Sequence, residues 1–381
     1  MKAVKYLPLI FLFVLIGCSK RTEVPVIDLK YFANRYIVGT VNIHERERGS
    51  IFLEGTDDYR MSDLKQINSF GENIYFIVKN QMKSYSFRTG KVNIDFKIDN
   101  SSRNFTSFDI DPSTGTIYAL DVNGSMIVCV DLFGSTLYEM TLDEKYEYCD
   151  VRVIDTNHLL ITVITIPTPV TFIINLENKS LKPLDEPSKK SFTPDKALRD
   201  SVLNGWASLY SFSKSSEGLF VKYLFDDVIY RYSANGKEKA YRVKNENVKY
   251  SVNKIIKGER KNWVALHHLW RLADNKWMII AWTPFVYGGQ SFNSLDMSLT
   301  DDDMHWMKSL DNISTFMIGE LDTIYNIAVF YYTWFNEIDG IIFNVSKYSK
   351  AKGELPVHLK NHPNKNDILL VYYVTKDLNG L

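Results

Sequence analysis

The sequence predicts an all-β fold built from repeated four-stranded antiparallel units, and three observations predict it. Residues 105–142 read as four short strands joined by three tight turns, within about 40 residues. A strand that follows a turn recurs at Ile74, Ile117, Leu159, Leu219, Trp277 and Ile341, at intervals of about 42 residues early in the chain and near 60 later. Residues 367–374, Asp-Ile-Leu-Leu-Val-Tyr-Tyr-Val, form a strong strand that needs a partner. Together these describe a six-bladed β-propeller of four-stranded antiparallel blades, closed by pairing the C-terminal strand beside residues 24–29 or 51–53. A two-sheet β-sandwich is the alternative, but a sandwich has no need of such repeated turn chemistry.

The reference unit justifies its own elements. Thr106, Phe108 and Ile110 share one face of an extended segment, and Asp111-Pro112-Ser113-Thr114-Gly115 then supplies the proline, side-chain acceptors and permissive glycine of a turn. Residues 116–120 start the second strand. Asn123-Gly124 reads as a two-residue hairpin before the β-branched run 126–130, and residues 131–134 turn the chain into 135–142. An earlier unit runs through 64–67, 74–79, 82–87 and 92–98, and a later one through 151–154, 158–163, 170–175 and 181–184. A fourth spans 209–243, a fifth centres on 274–280 and a sixth on 339–343.

The chain begins with Lys2 and Lys5 before an apolar run, 6–16, that is too short to span roughly 30 Å of hydrocarbon. It reads as a signal peptide over residues 1–17. Leu15-Ile16-Gly17-Cys18 resembles the lipobox of bacterial lipoproteins, and that resemblance implies a mature chain starting at a lipidated Cys18. Several acyl chains on one cysteine hold a protein on a bilayer where a single chain binds only marginally. Residues 18–23 become a lipidated tether, and residues 24–381 form the propeller, with an insertion at about 182–204. Ser19 follows Cys18 where enteric bacteria place an aspartate for inner-membrane retention, which favours the outer membrane.

Lys plus Arg and Asp plus Glu are balanced at 45 each, so no net field recruits nucleic acid. Beyond Cys18 only Cys129 and Cys149 remain, open to pairing or to service as small buried fillers. The sequence holds no Gly-X-Ser-X-Gly elbow, no His-Glu-X-X-His pair, no phosphate-cradling glycine loop and no paired-cysteine metal signature. No metal and no cofactor is expected.

Candidate contacts cluster late in the chain, between Trp263 and Trp334, where aromatic faces are suited to stacking on sugars. Trp277 and Trp282 sit in strand patterns and read as interblade filling. Tyr287, followed by Gly288-Gly289, and Trp306 fall in expected loops and are the ligand-binding candidates. Asp301-Asp302-Asp303 lacks the alternating spacing of a wrapped calcium loop and reads as a solvated turn. His267-His268 are strand neighbours expected to face opposite ways, which disfavours joint chelation. In the insertion, Thr193 as N-cap with Pro194 inside would start a short helix through Leu203, either a solvated excursion or a cover for one end of the channel.

The lipobox, the Asp111 to Tyr118 turn, the segment 225–231 and the ending 366–372 together resemble the six-bladed β-propeller lipoproteins of Bacteroidota, whose blades are similar to NHL-like and TolB-like repeats. Asp322-Thr323-Ile324 likewise resembles an O-glycosylation acceptor in those bacteria. Two function classes follow. The first is a non-catalytic binding or scaffold protein, anchored to the membrane by lipid and holding a glycan, peptide or protein partner on one propeller face. The alternative is a polysaccharide-active lyase or glycosidase, with carboxyl groups from different blades roughly 5 to 10 Å apart at the channel mouth.

Overall fold

The computed structural model describes residues 24, 26–28, 37–42, 47–59, 64–95, 103–163, 165, 169–185, 210–215, 217–223, 226, 228–244, 265–273, 276–287, 290–300, 307–311, 332–336, 341–347, 360–364 and 366–374. The leader, Cys18, the tether, the Thr193 to Leu203 segment, Asp301 to Trp306 and Asp322 to Ile324 lie outside these residues. So does most of the insertion, of which only residues 182–185 are described.

The chain is all-β, with antiparallel sheets arranged as a β-propeller. Its first complete sheet joins β4 (Leu64–Phe70), β5 (Asn73–Val78), β6 (Gln81–Ser86) and β7 (Val92–Asp95) in sequence order. The second joins β8 (Phe105–Ile110), β9 (Ile117–Asp121), β10 (Met126–Val130) and β11 (Thr136–Thr141). The third joins β12 (Tyr148–Asp155), β13 (His158–Val163), β14 (Val170–Asn175) and β15 (Ser180–Pro183). In the fourth, β16 (Tyr210–Ser215), β17 (Gly218–Tyr223), β18 (Val228–Ser233) and β19 (Gly236–Lys244) take a fifth strand, β1 (Val26–Asp28), which runs parallel to β19.

Two more sheets follow, described by their backbone pairing. One holds β20 (Ala265–Ala273), β21 (Lys276–Tyr287), β22 (Gln290–Thr300) and β23 (Met307–Asp311), with β2 (Ile37–Asn42) parallel to β23. The other holds β24 (Tyr332–Asn336), β25 (Ile341–Lys347), β26 (Ile368–Val374) and β3 (Glu47–Leu53), the last two antiparallel with Ile368 opposite Leu53. All six recurring positions predicted from sequence, Ile74 to Ile341, therefore lie in the second strand of a sheet.

Why the sheets stand as blades is visible in the packing. The middle strands are buried along their length, as in β9 and β13, whereas the outer strand β11 is largely exposed. Apolar layers fill the gaps between neighbouring sheets. Tyr75, Ile77 and Met82 of the first meet Phe108, Ile117, Ala119 and Val128 of the second. Ile127 and Cys129 of the second meet Val151, Leu159 and Ile161 of the third. Strands covered on both faces lose the apolar–polar alternation of a one-faced sheet, which is why their sequences read as continuous apolar runs.

Turn chemistry fixes the registers. Asp111 accepts from Ser113 N at 2.9 Å, Ser113 Oγ at 2.7 Å and Thr114 Oγ1 at 2.8 Å, and Gly115, at φ +72°, closes the turn back to the Asp111 carbonyl. Two expected hairpins differ from their sequence reading. The β5–β6 turn is Lys79-Asn80, both at positive φ, with Gln81 already in the strand. The β9–β10 loop spans four residues between paired Asp121 and Met126, and its left-handed residue is Ser125 rather than Gly124. There Asp121 Oδ1 accepts from the Asn123 and Asn104 amides, so a side-chain turn replaces the tight two-residue hairpin.

Cys129 and Cys149 are both thiols. Cys129 is buried in the layer between the second and third sheets, and Cys149 donates to the Thr162 carbonyl. Among the described residues no helix is long and apolar enough to cross a membrane.

Candidate functional site

The innermost strands β4, β8, β12 and β16 carry a polar–apolar–polar pattern, seen in Gln66-Ile67-Asn68, Ser107-Phe108-Asp109, Asp150-Val151-Arg152 and Ser211-Phe212-Ser213. The apolar member packs into a blade core, while the polar members of β4 and β8 reach sideways to the next inner strand. Their bonds span 41 to 44 residues in sequence, the length of one repeat unit. The periodicity of the chain thus becomes a collar of side-chain bridges.

Its first link is Gln66, whose amide donates to the Phe108 carbonyl at 2.5 Å and accepts from the Phe108 amide at 3.1 Å. Asp109 holds the centre. Its Oδ1 accepts from Ile110 N at 2.9 Å and from Asn68 Nδ2 at 3.3 Å, and its Oδ2 accepts from Val153 N at 2.8 Å. Lys214 of β16 brings its ammonium within 2.7 Å of the same Oδ2, so one carboxylate ties together four inner strands. That approach is off the hydrogen-bonding direction, and the attraction is one of charges.

Ser107 continues the collar by donating to Asp150 Oδ1 while accepting from Val151 N at 3.3 Å. Asp150 Oδ2 accepts from Arg152 Nε at 3.0 Å, and the Arg152 guanidinium lies 4.3 Å from the Phe212 ring centroid, in cation–π range. Burial pushes the Asp150 carboxyl above its ordinary range, opposed by the charge of Arg152 and the bond from Ser107. Asp111, at the end of β8, goes the other way. Burial would raise it, but the Ser113 and Thr114 bonds and the charge of Lys214 carry it below the usual carboxylate range.

Arg152 and Lys214 keep 20% and 16% of their side chains exposed, while Asp109 and Asp150 keep 3% each. The collar therefore offers solvent its cationic members and keeps its carboxylates inward. Among the described residues no cluster of His, Cys, Asp and Glu could hold a metal ion.

The sequence-derived candidates lie elsewhere. Tyr287 is the last residue of β21, paired with Gln290 across a two-residue connection, so its backbone is strand and not the expected loop. Trp306 precedes β23 and, like Cys18, lies outside the described residues. His267 and His268 lie in β20, whose backbone register shifts between Leu266 and His268. Sequence reading missed the collar, although aligning the first strand of each repeat would have exposed its polar–apolar–polar signature.

No family model and no curated protein matches the chain. Among solved structures it is similar to a protein of Bacteroides fragilis described as exported, at 11% identity and a TM-score of 0.57 over 92% of this chain and 99% of that one. It is also similar to a DUF4221 family member from Bacteroides vulgatus, at 9% identity and a TM-score of 0.50 over 84% and 94%. Virginiamycin B lyase from Staphylococcus aureus aligns at 10% identity and a TM-score of 0.42 over 86% and 98%, a distance at which no chemistry carries across.

Proposed function

We propose that this chain is a lipid-anchored, six-bladed β-propeller of the bacterial cell envelope that acts as a non-catalytic binding or scaffold protein for a glycan, peptide or protein partner. The observation that carries the reading is the collar. Its carboxylates Asp109 and Asp150 are spent on bonds within and between blades, with Asp109 accepting at both oxygens, one of them from Val153 of the next blade, and Asp150 held by Ser107 of the preceding blade and by Arg152 of its own strand. Groups fixed in that way act as clamps that keep the rim rigid, and a rigid rim lets loops from several blades share one binding surface.

Six blades are supported by the six sheets, and closure of the ring by the β26–β3 pairing. Envelope residence is supported by the Leu15 to Cys18 motif and by a structural neighbour described as exported. Cys18 would carry the lipid in the outer membrane, and Tyr287 and Trp306 would contribute to the partner surface.

A polysaccharide array probed with the purified protein, with mass spectrometry of every retained glycan, separates this reading from that of a polysaccharide-active enzyme. Retention of intact glycan that weakens at least about tenfold in Tyr287→Ala or Trp306→Ala supports the binding protein. Shortened or unsaturated products would replace it with the enzyme.

A further inference from the structure

The outer edges of the sheets are treated unequally. Those of the fourth and fifth sheets are covered by added parallel strands, β1 on β19 and β2 on β23. In the second sheet β11 is the terminal strand, and among the described strands nothing pairs with its outer side. A strand edge presents a row of backbone donors and acceptors that templates another extended chain. This molecule uses that chemistry twice on itself.

Side chains mark the same edge. Only three large apolar residues among those described are strongly exposed, and two of them flank this strand: Phe133 at 80% in the turn before β11, and Leu137 at 53% within it. Five carboxylates and one lysine lie between residues 131 and 147. Arg103 pairs with Glu139, Lys145 with Asp143, and the Lys179 ammonium lies 5.7 Å from the centroid of the Tyr138 ring, so five carboxylates stand against three cations around this edge.

We infer that β11 is a docking edge for an extended, basic segment of another protein, which joins the second sheet as a fifth strand in the manner of β1 and β2. Backbone hydrogen bonds would supply affinity, Phe133 and Leu137 would take apolar side chains, and the carboxylates would select lysine and arginine. The inference rests on the binding-protein reading and names one partner class for it.

The test uses the full chain in detergent and a synthetic eight-residue peptide alternating lysine and valine, read by fluorescence anisotropy, with a glutamate–valine peptide as control. The lysine peptide binds, weakens as salt is raised, and protects the Thr136–Thr141 amides from hydrogen exchange. Leu137→Lys, at an exposed position, lowers the affinity about tenfold or more while leaving the fold intact. Equal binding of the glutamate peptide, no binding, or protection elsewhere overturns the inference, as does a Leu137-dependent dimer in sedimentation, which would make a second copy the occupant. A glycan retained in the array while the peptide fails would leave the binding-protein reading standing and remove only this partner.

Discussion

At the residue scale the collar concentrates the consequences. Asp150 is inaccessible, bonded to Ser107 and Arg152, and its carboxyl is raised by burial. A carboxyl raised in the folded state contributes stability that is fully present below its unfolded value of about 3.9 and is lost as pH rises through the folded value. Asp150→Asn cannot ionise, so the stability difference, wild type minus variant, should fall as pH is raised above about 4. Urea denaturation across that range reads the difference directly. A flat difference would mean that Arg152 and Ser107 fully offset the burial. Asp111, lowered in the fold, has the opposite sign: its contribution disappears as pH falls, and it is common to both proteins, so it cancels.

At the scale of the strand and turn, the seam between β3 and the first sheet depends on one glycine. Gly90 sits at φ +69° in the turn between β6 and β7, its carbonyl accepts from Glu54 N at 3.0 Å, and a Cβ there would overlap the Phe52 carbonyl oxygen. Both the positive φ and the close approach exclude a side chain. Gly90→Ala should therefore cost on the order of 3 kcal/mol, well above the roughly 1 kcal/mol of an exposed left-handed glycine, because backbone on both sides must move. Gly71, at φ +60° with open space around its missing Cβ, is the internal control, and denaturant midpoints of the two variants give the comparison. Turns of this kind were legible in the sequence because Asp, Asn and Gly act locally. Where several acceptors compete, as at Asp121 with Asn123 and Gly124, the sequence names the turn and only the hydrogen bonds decide its length. The collar was less legible, since Asp109 and Val153 are 44 residues apart and meet only once both blades exist. The parallel addition of β1 and β2 was illegible for the same reason: strands of three and six residues carry no signal for partners found beyond residue 235.

At the scale of the whole molecule, the first and last thirds of the chain are joined where β26 lies between β25 and β3. The join is more than a ladder. Thr56 N donates to Asp367 Oδ1 at 2.9 Å, Ile368 N donates to Thr56 Oγ1 at 2.8 Å, and Asp367 Oδ2 lies 2.8 Å from His362 Nε2, whose ring stacks on Phe52 at 4.5 Å. Ile368 and Leu370 are fully buried in an apolar layer with Leu53, Leu64, Ile67, Ile74 and Phe76, so the C-terminal strand supplies core to the first sheet as well as pairing to β3. Each of those side chains contributes about 1.5–3 kcal/mol by burial, a large share of the net stability of a domain. Ending the chain at Asn366 should then unravel the ring rather than fray it. Amides of β4 and β5, some 300 residues away in sequence, should lose hydrogen-exchange protection together with those of β25, and unfolding should become broader in urea. Ending it after Val374 should change neither, because the pairing with β25 and β3 is retained. If removal of β26 leaves the protection of β4 and β5 untouched, the two ends of the chain are neighbours without being a closure, and the mechanical unit is the blade and not the ring.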